Sequence, residues 1–284
     1  MCEQKDFQHF FLTRFNILLW QRDKEGTPVR TTQWLDHRFA IFENYCLPSI
    51  KNQTCQDFEW IVLFDSTTPE RYKEKIAAYQ KDCPQFIPVF VEPKKGRFFA
   101  DIFREEIVKR LNAERVISTY LDNDDALNVK FVEDLRKRTA GVADGTFFYY
   151  DKGYQYYTDD KFMLQINYPR NHFVSVVEKG NPQNVKGIFG YGRHYYIAAI
   201  KGASIEHVKA EPMWCENVHG RNMLNDANFF IGTRMVSGRD HLRDRFAIDE
   251  EVDSGLGVYV TRFLPRYLKT FVRRAKRFLL GRKW

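Results

Sequence analysis

The first 140 residues of the chain alternate between two hydrophobic periods, and that alternation restricts the fold more than any other feature. "HFFLTRF" (9–15) is a strand-like run. The segment from Trp34 to Ile50 then repeats Trp34, Leu35, Arg38, Phe39, Ile41, Phe42, Tyr45 and Cys46 near the helical period until Pro48. "FEWIVLFD" (58–65) is a second strand, ending in an acid. It is followed by helical spacing over about 69–82, a strand at "FIPVFV" (86–91), a helix over about 98–112 and the strand "RVISTYL" (115–121). Strands alternating with helices of this length predict a parallel sheet covered on both faces, because each crossover carries a helix back over the sheet.

From about Gly145 the pattern changes to aromatic, turn-punctuated runs: "TFFYYDKGYQYY", "KFMLQI" and "HFVSVV". These predict antiparallel strands that extend the same sheet rather than an independent domain. At 284 residues the chain suits one enlarged α/β domain with appended elements. We place that domain at 1–246, an acidic linker opening with "AIDEEVDSGLG" at 247–261, and a basic tail at 262–284. The net charge of +7 is local to the tail, where nine Lys or Arg and no acid lie between Arg262 and Trp284. A general nucleic-acid-binding surface is therefore not implied. Cys2, Cys46, Cys55, Cys83 and Cys215 are odd in number, scattered and free of any C-x-x-C pair, which points away from a disulfide framework or zinc knuckle and toward a reducing compartment. "MCEQKDFQHFF" has charges where a signal peptide needs an apolar core, so the expectation is a cytoplasmic protein.

"LDNDD" (121–125) places three carboxylates within four residues directly after a buried strand. In an open α/β sheet, ligands bind outside the carboxyl ends of the strands. Asp122 and Asp124 are one residue apart, so a tight turn brings both to one hard cation, with Asp125 beside them. Mg²⁺ or Mn²⁺ held by one or two carboxylates and completed by phosphate oxygens suits this spacing. Three such acids repel one another unless a cation offsets them. The plainer reading is that they cap the following helix, "VKFVEDLRKR". An EF-hand loop is excluded by Ala126 and Leu127 at its fifth and sixth positions.

At these residues the chain resembles nucleotide-sugar glycosyltransferases of the GT-A fold and, more narrowly, the bacterial rhamnosyl transferase family. The resemblance is carried by "LTRFN" (12–16), "HRFAIFENYCLPSIKNQTCQDFEWIVLFD" (37–65), "LDNDDAL" (121–127) and "WCENVHGRN" (214–222). It implies an α/β, Rossmann-like mixed sheet flanked by helices. Asp122 and Asp124 would be the D-x-D ligands of the metal and the diphosphate, and His219 the third metal ligand. Asp65 would sit where such enzymes bind the nucleobase or ribose, beside Thr13 and Arg14 at the same sheet edge, with Arg14 suited to a phosphate. Family members commonly carry Arg immediately before the LDNDD block, where this chain has Tyr120, so the resemblance implies no phosphate contact at that position.

The implied reaction moves a sugar, rhamnose by the family label, from a nucleoside diphosphate to a surface-glycan or lipid-linked acceptor. The metal on Asp122 and Asp124 takes up leaving-group charge. Among Glu178, Glu216 and Asp226, we take Glu178 as the base that deprotonates the acceptor, because it ends a strand-like run. A metal-dependent phosphohydrolase or phosphotransferase and a non-enzymatic membrane-surface adaptor are the competing readings. The tail from about Leu264 to Leu279 reads as an amphipathic helix. Leu264, Leu268, Phe271, Val272, Ala275, Phe278 and Leu279 fall within an arc of about 120°, with Arg266, Lys269, Arg273, Arg274, Lys276 and Arg277 on the other side. It predicts peripheral attachment to the anionic inner face of the cytoplasmic membrane, against the alternative of a terminal helix packed on the domain.

Overall fold

The computed structural model describes residues 6–19, 21–22, 26, 28–219 and 233–279. Strands β1 (Phe7–Arg14), β2 (Glu59–Asp65), β3 (Phe86–Val91) and β4 (Arg115–Tyr120) form the expected parallel half, with β1 between β2 and β4 and β3 outside β2. Helices α1 (Thr32–Ile41) and α2 (Leu47–Lys51), joined by a π turn at Phe42–Cys46, connect β1 to β2; α3 (Glu70–Asp82) and α4 (Phe99–Arg110) make the next two crossovers. Thr31 caps α1 by accepting from the Trp34 N–H at 3.2 Å. Pro48 lies inside the helical run rather than ending it. The widened turn just before it relaxes the i→i−4 pattern that a proline cannot complete.

The period-2 pattern of the strands sorts the core onto two faces. Phe7 and Phe11 of β1, with Trp60, Val62 and Phe64 of β2, pack under α1, α3 and α5 (Phe131–Thr139). Phe10 and Leu12, with Ile61 and Leu63, pack under α4.

The second half both follows and departs from expectation. β9 (Val174–Lys179) pairs antiparallel with β4, β6 (Thr146–Tyr150) antiparallel with β9, and β10 (Ser204–Val208) parallel with β6. The result is a seven-stranded mixed sheet, β10-β6-β9-β4-β1-β2-β3, flanked by helices. β7 (Lys152–Tyr157) and β8 (Phe162–Asn167), expected to extend that sheet, leave it instead. With β5 (Ala126–Leu127), β11 (Trp214–Val218) and β12 (Arg234–Val236) they form a second sheet, β12-β8-β7-β11-β5. The switch takes a single residue, Asp151. Its N–H donates to Val208 O, its carbonyl accepts from Tyr168 N, and its carboxylate holds His207 Nδ1 at 2.8 Å.

β5 also separates the acidic cluster from α5, where Gln53 Oε1 accepts the Val132 N–H at 3.1 Å, so it is Gln53 and not the acids that caps that helix. After α6 (Asp240–Phe246), Ile248 and Val252 are buried against the second sheet, and Tyr45 OH donates to Glu250 at 3.2 Å. Cys46, Cys83 and Cys215 are free and buried. No helix among the described residues is long and apolar enough to cross a membrane.

Candidate active site

A cleft of about 540 Å³ opens at the carboxyl ends of β1 and β4, where an open α/β sheet binds its ligands. The loop carrying the acidic cluster is tied down by Asn123, whose side chain donates to Arg14 O at 3.0 Å and Phe15 O at 2.8 Å. That bond locks the end of β4 to the end of β1 and turns the flanking acids in different directions.

Each acid has its own partner. Asp122 accepts from Tyr120 OH at 2.9 and 3.0 Å and from Arg14 Nη2 at 3.4 Å. Tyr120 also receives Arg14 Nη2 at 2.6 Å, so the cation next to Asp122 comes from β1. The Arg14 guanidinium is held between the rings of Phe99 and Phe189, 4.9 and 5.1 Å from their centroids. Asp124 pairs with Arg38 of α1 at 2.6 Å and with His219 Nε2 at 3.3 Å. Burial opposes its ionisation, but the Arg38 charge and the His219 bond outweigh it and hold Asp124 well below the usual carboxylate range. Asp125 accepts from Asn217 N at 2.9 Å and faces His172 Nε2 at 2.7 Å. Burial pulls the His172 imidazole down, but its hydrogen bond to Asp125 and the charges of Asp125 and Asp122 outweigh burial and raise it.

Among the described residues the group with metal-binding proximity is Asp122, Asp125 and His172, whose ligand atoms lie within 4.8 Å of one another. The expected set was Asp122, Asp124 and His219. The structure does bring Asp124 and His219 together at 3.3 Å, with Arg38 on the same Asp124 oxygen at 2.6 Å. His172 was not singled out from the sequence. A signal for it existed: a strand running antiparallel beside β4 must begin near the end of β4, and His172 lies two residues before β9. Arg38 had been read only as part of a buried helical stripe, where a cation implies a buried acid.

Other sequence-derived positions move away from the cleft. Thr13 is fully buried and accepts from Trp60 Nε1 at 2.9 Å, which gives it a packing role. Asp65 is 1% exposed and saturated by Thr67 N, Thr67 Oγ1 and Arg30 Nη1, so at this edge it is Arg30, not Asp65, that lines the cleft. Glu178 pairs in register with Val116, near the start of β4, about 13 Å along the strand from Tyr120. There it accepts from Lys186 N, Gly187 N and Tyr191 OH, as a carboxylate that closes a turn, and it does not line the cleft. Glu216 is buried against Gln155 and does not line the cleft. Asp226 lies outside the described residues.

The family described as "Putative rhamnosyl transferase" matches residues 9–229. No curated protein matches the chain. Among solved structures, S. aureus TarS aligns over 75% of this chain and 37% of its own, at 10% identity and a TM-score of 0.37. The 1–349 form of TarS in complex with UDP aligns over 74% of this chain and 60% of its own, at 12% identity and a TM-score of 0.38. The chain thus spans less than two thirds of the length of either.

Proposed function

The chain belongs to the family described as putative rhamnosyl transferase and is a glycosyltransferase; from that premise we propose that it transfers a sugar, rhamnose in keeping with the family description, from a nucleoside diphosphate to a surface-glycan or lipid-linked acceptor at the inner face of the cytoplasmic membrane. The observation that carries the donor assignment is the convergence of Asp122, Asp125 and His172 with Arg14 in one cleft. The buried Nε donors of Arg14 and Arg30, both cleft-lining residues, have no hydrogen-bond partner among the described residues, and an anionic ligand would supply one.

Two carboxylates and an imidazole at this spacing fit a divalent cation that displaces the proton held on His172, and Asp122, Asp125 and His172 would then hold Mn²⁺ or Mg²⁺ with positions left for phosphate oxygens. Such a cation, when bound, neutralises charge on the departing diphosphate. Arg14 adds a second positive charge at the same edge, kept in place by its aromatic clamp. Asp124 is too firmly ionised to serve as a base at neutral pH, so it acts by positioning Arg38 and His219.

The test is thermal denaturation with a panel of nucleoside diphosphates, with and without Mn²⁺, on the natural chain and on Asp122→Asn. The expected result is a metal-dependent rise in melting temperature for at least one nucleotide, lost in Asp122→Asn. Turnover of the matching nucleotide-sugar should release nucleoside diphosphate; release of inorganic phosphate would favour a phosphohydrolase and reject this reading.

A further inference from the structure

Seven of the ten large apolar side chains exposed among the described residues lie between Leu256 and Val272. Scattered exposed apolar residues are ordinary, but a cluster of this density marks an interaction surface. Here α7 (Leu256–Val258), a π turn at Tyr259–Phe263 and α8 (Leu264–Leu279) run on without a break. The rod touches the body through Phe263 and Thr270, both buried, and through Arg262 and Arg266, which bracket Asp160. The Arg266 guanidinium also lies 5.1 Å over the rings of Tyr157 and Phe162.

At about 100° per residue, Phe263, Arg266 and Thr270 fall within about 60° of one another, and Leu264, Leu268, Phe271 and Val272 centre about 150° away. The apolar stripe is therefore not the face that packs: Phe271 is 64% exposed, and Leu268 and Val272 are each 51% exposed. Exposed Lys269 and Lys276 border the stripe, within a stretch of nine cations and no acid. A second copy of the chain would set those cations against their own kind. A nucleic acid would satisfy the charge but leave Leu268 and Phe271 in water. An anionic bilayer meets both demands, taking the apolar side chains into the acyl boundary and the cations among the phosphates.

We propose that the exposed surface of Leu256, Tyr259, Val260, Leu268, Phe271 and Val272 is a lipid-docking face that seats the protein on an anionic membrane. Tyr157, beneath Arg266, is paired with Val218, the residue before His219, so the docked rod lies on the His219 side of the cleft. That placement suits delivery of a lipid-linked acceptor and rests on the glycosyl-transfer reading; the lipid contact itself does not.

The full chain should co-sediment with phosphatidylcholine vesicles containing phosphatidylglycerol, and less so at high salt or with phosphatidylcholine alone. The double variant Leu268→Ser, Phe271→Ser, altered only at exposed positions, should lose about tenfold or more in vesicle partitioning. Its melting temperature and its stabilisation by nucleoside diphosphate should stay unchanged. Vesicle binding equal to that of the natural chain would reduce the tail to a polyanion site and overturn the proposal, as would failure of the natural chain to pellet. A chain that binds vesicles but no nucleoside diphosphate overturns the donor reading and leaves the lipid face standing.

Discussion

Arg38 and Asp124 meet at 2.6 Å with side chains only 9% and 13% exposed, and that pair decides how the acidic cluster is held together. Three neighbouring acids demand positive charge, as the sequence implies, and the protein supplies much of it through Arg14, Arg38 and His172. Neutralising an acid therefore does not relieve repulsion uniformly. Asp124→Asn leaves Arg38 buried without its counter-charge and should cost about 3 kcal/mol of stability. Asp122→Asn, at a side chain one-third exposed, should cost less than about 1 kcal/mol. Chemical denaturation of both variants without metal checks this; equal stability in the two would show that Arg38 does not depend on Asp124. The location of the site was legible in "LDNDD", since a run of acids at a strand end has few other uses. Which acid faces which cation was not legible, because the partners lie 86 residues away for Asp124 and 47 for Asp125.

Among the elements, the second sheet depends on the contact between β7 and β11. Trp214 of β11 donates its indole N–H to Tyr150 O of β6 at 2.7 Å and stacks on Phe173, so one side chain joins both sheets. Gly153 of β7 leaves room for that indole: an added Cβ would lie 2.1 Å from it. Gly153→Ala should cost about 2–3 kcal/mol, a fall of about 5 °C in melting temperature. Gly257→Ala, where a Cβ meets nothing within 4 Å, should change stability by no more than about 1 kcal/mol. Similar melting temperatures for the two variants would mean that Trp214 moves aside without loss. This part of the architecture was hidden in the sequence for a physical reason. β6 is buried at every position and β7 at all but its first, so neither alternates, and without alternation the period cannot say which sheet a strand joins.

Over the whole molecule, the parallel half was legible because strand and helix periods alternate there. The tail was legible as amphipathic, but not which side of it packs, since Phe263, Arg266 and Thr270 form no apolar pattern. The large-scale property that follows from the fold is its response to acid. His9 sits in β1, the strand between β2 and β4, fully buried, with Nε2 2.8 Å from Thr119 Oγ1 and, among the described residues, no partner for Nδ1. Burial, with the nearby Arg136 charge, lowers its pKa to about 3. The unfolded chain therefore binds a proton that the folded chain refuses over the whole interval between about 6.5 and 3. Stability from this source is complete above the upper limit and is lost as pH falls, reaching about 2.5 kcal/mol by pH 4.5. The lowered pKa of His194, about 4 through burial and the charge of His172, acts in the same direction. In His9→Phe the ring still packs on Phe11, and Thr119 keeps its bond to Ser175, so the fold should persist while its acid sensitivity shrinks. Denaturant unfolding at pH 7 and pH 4.5 should show a stability loss about 2.5 kcal/mol smaller in the variant than in the natural chain. Equal losses would mean that His9 takes up its proton without unfolding the sheet around it.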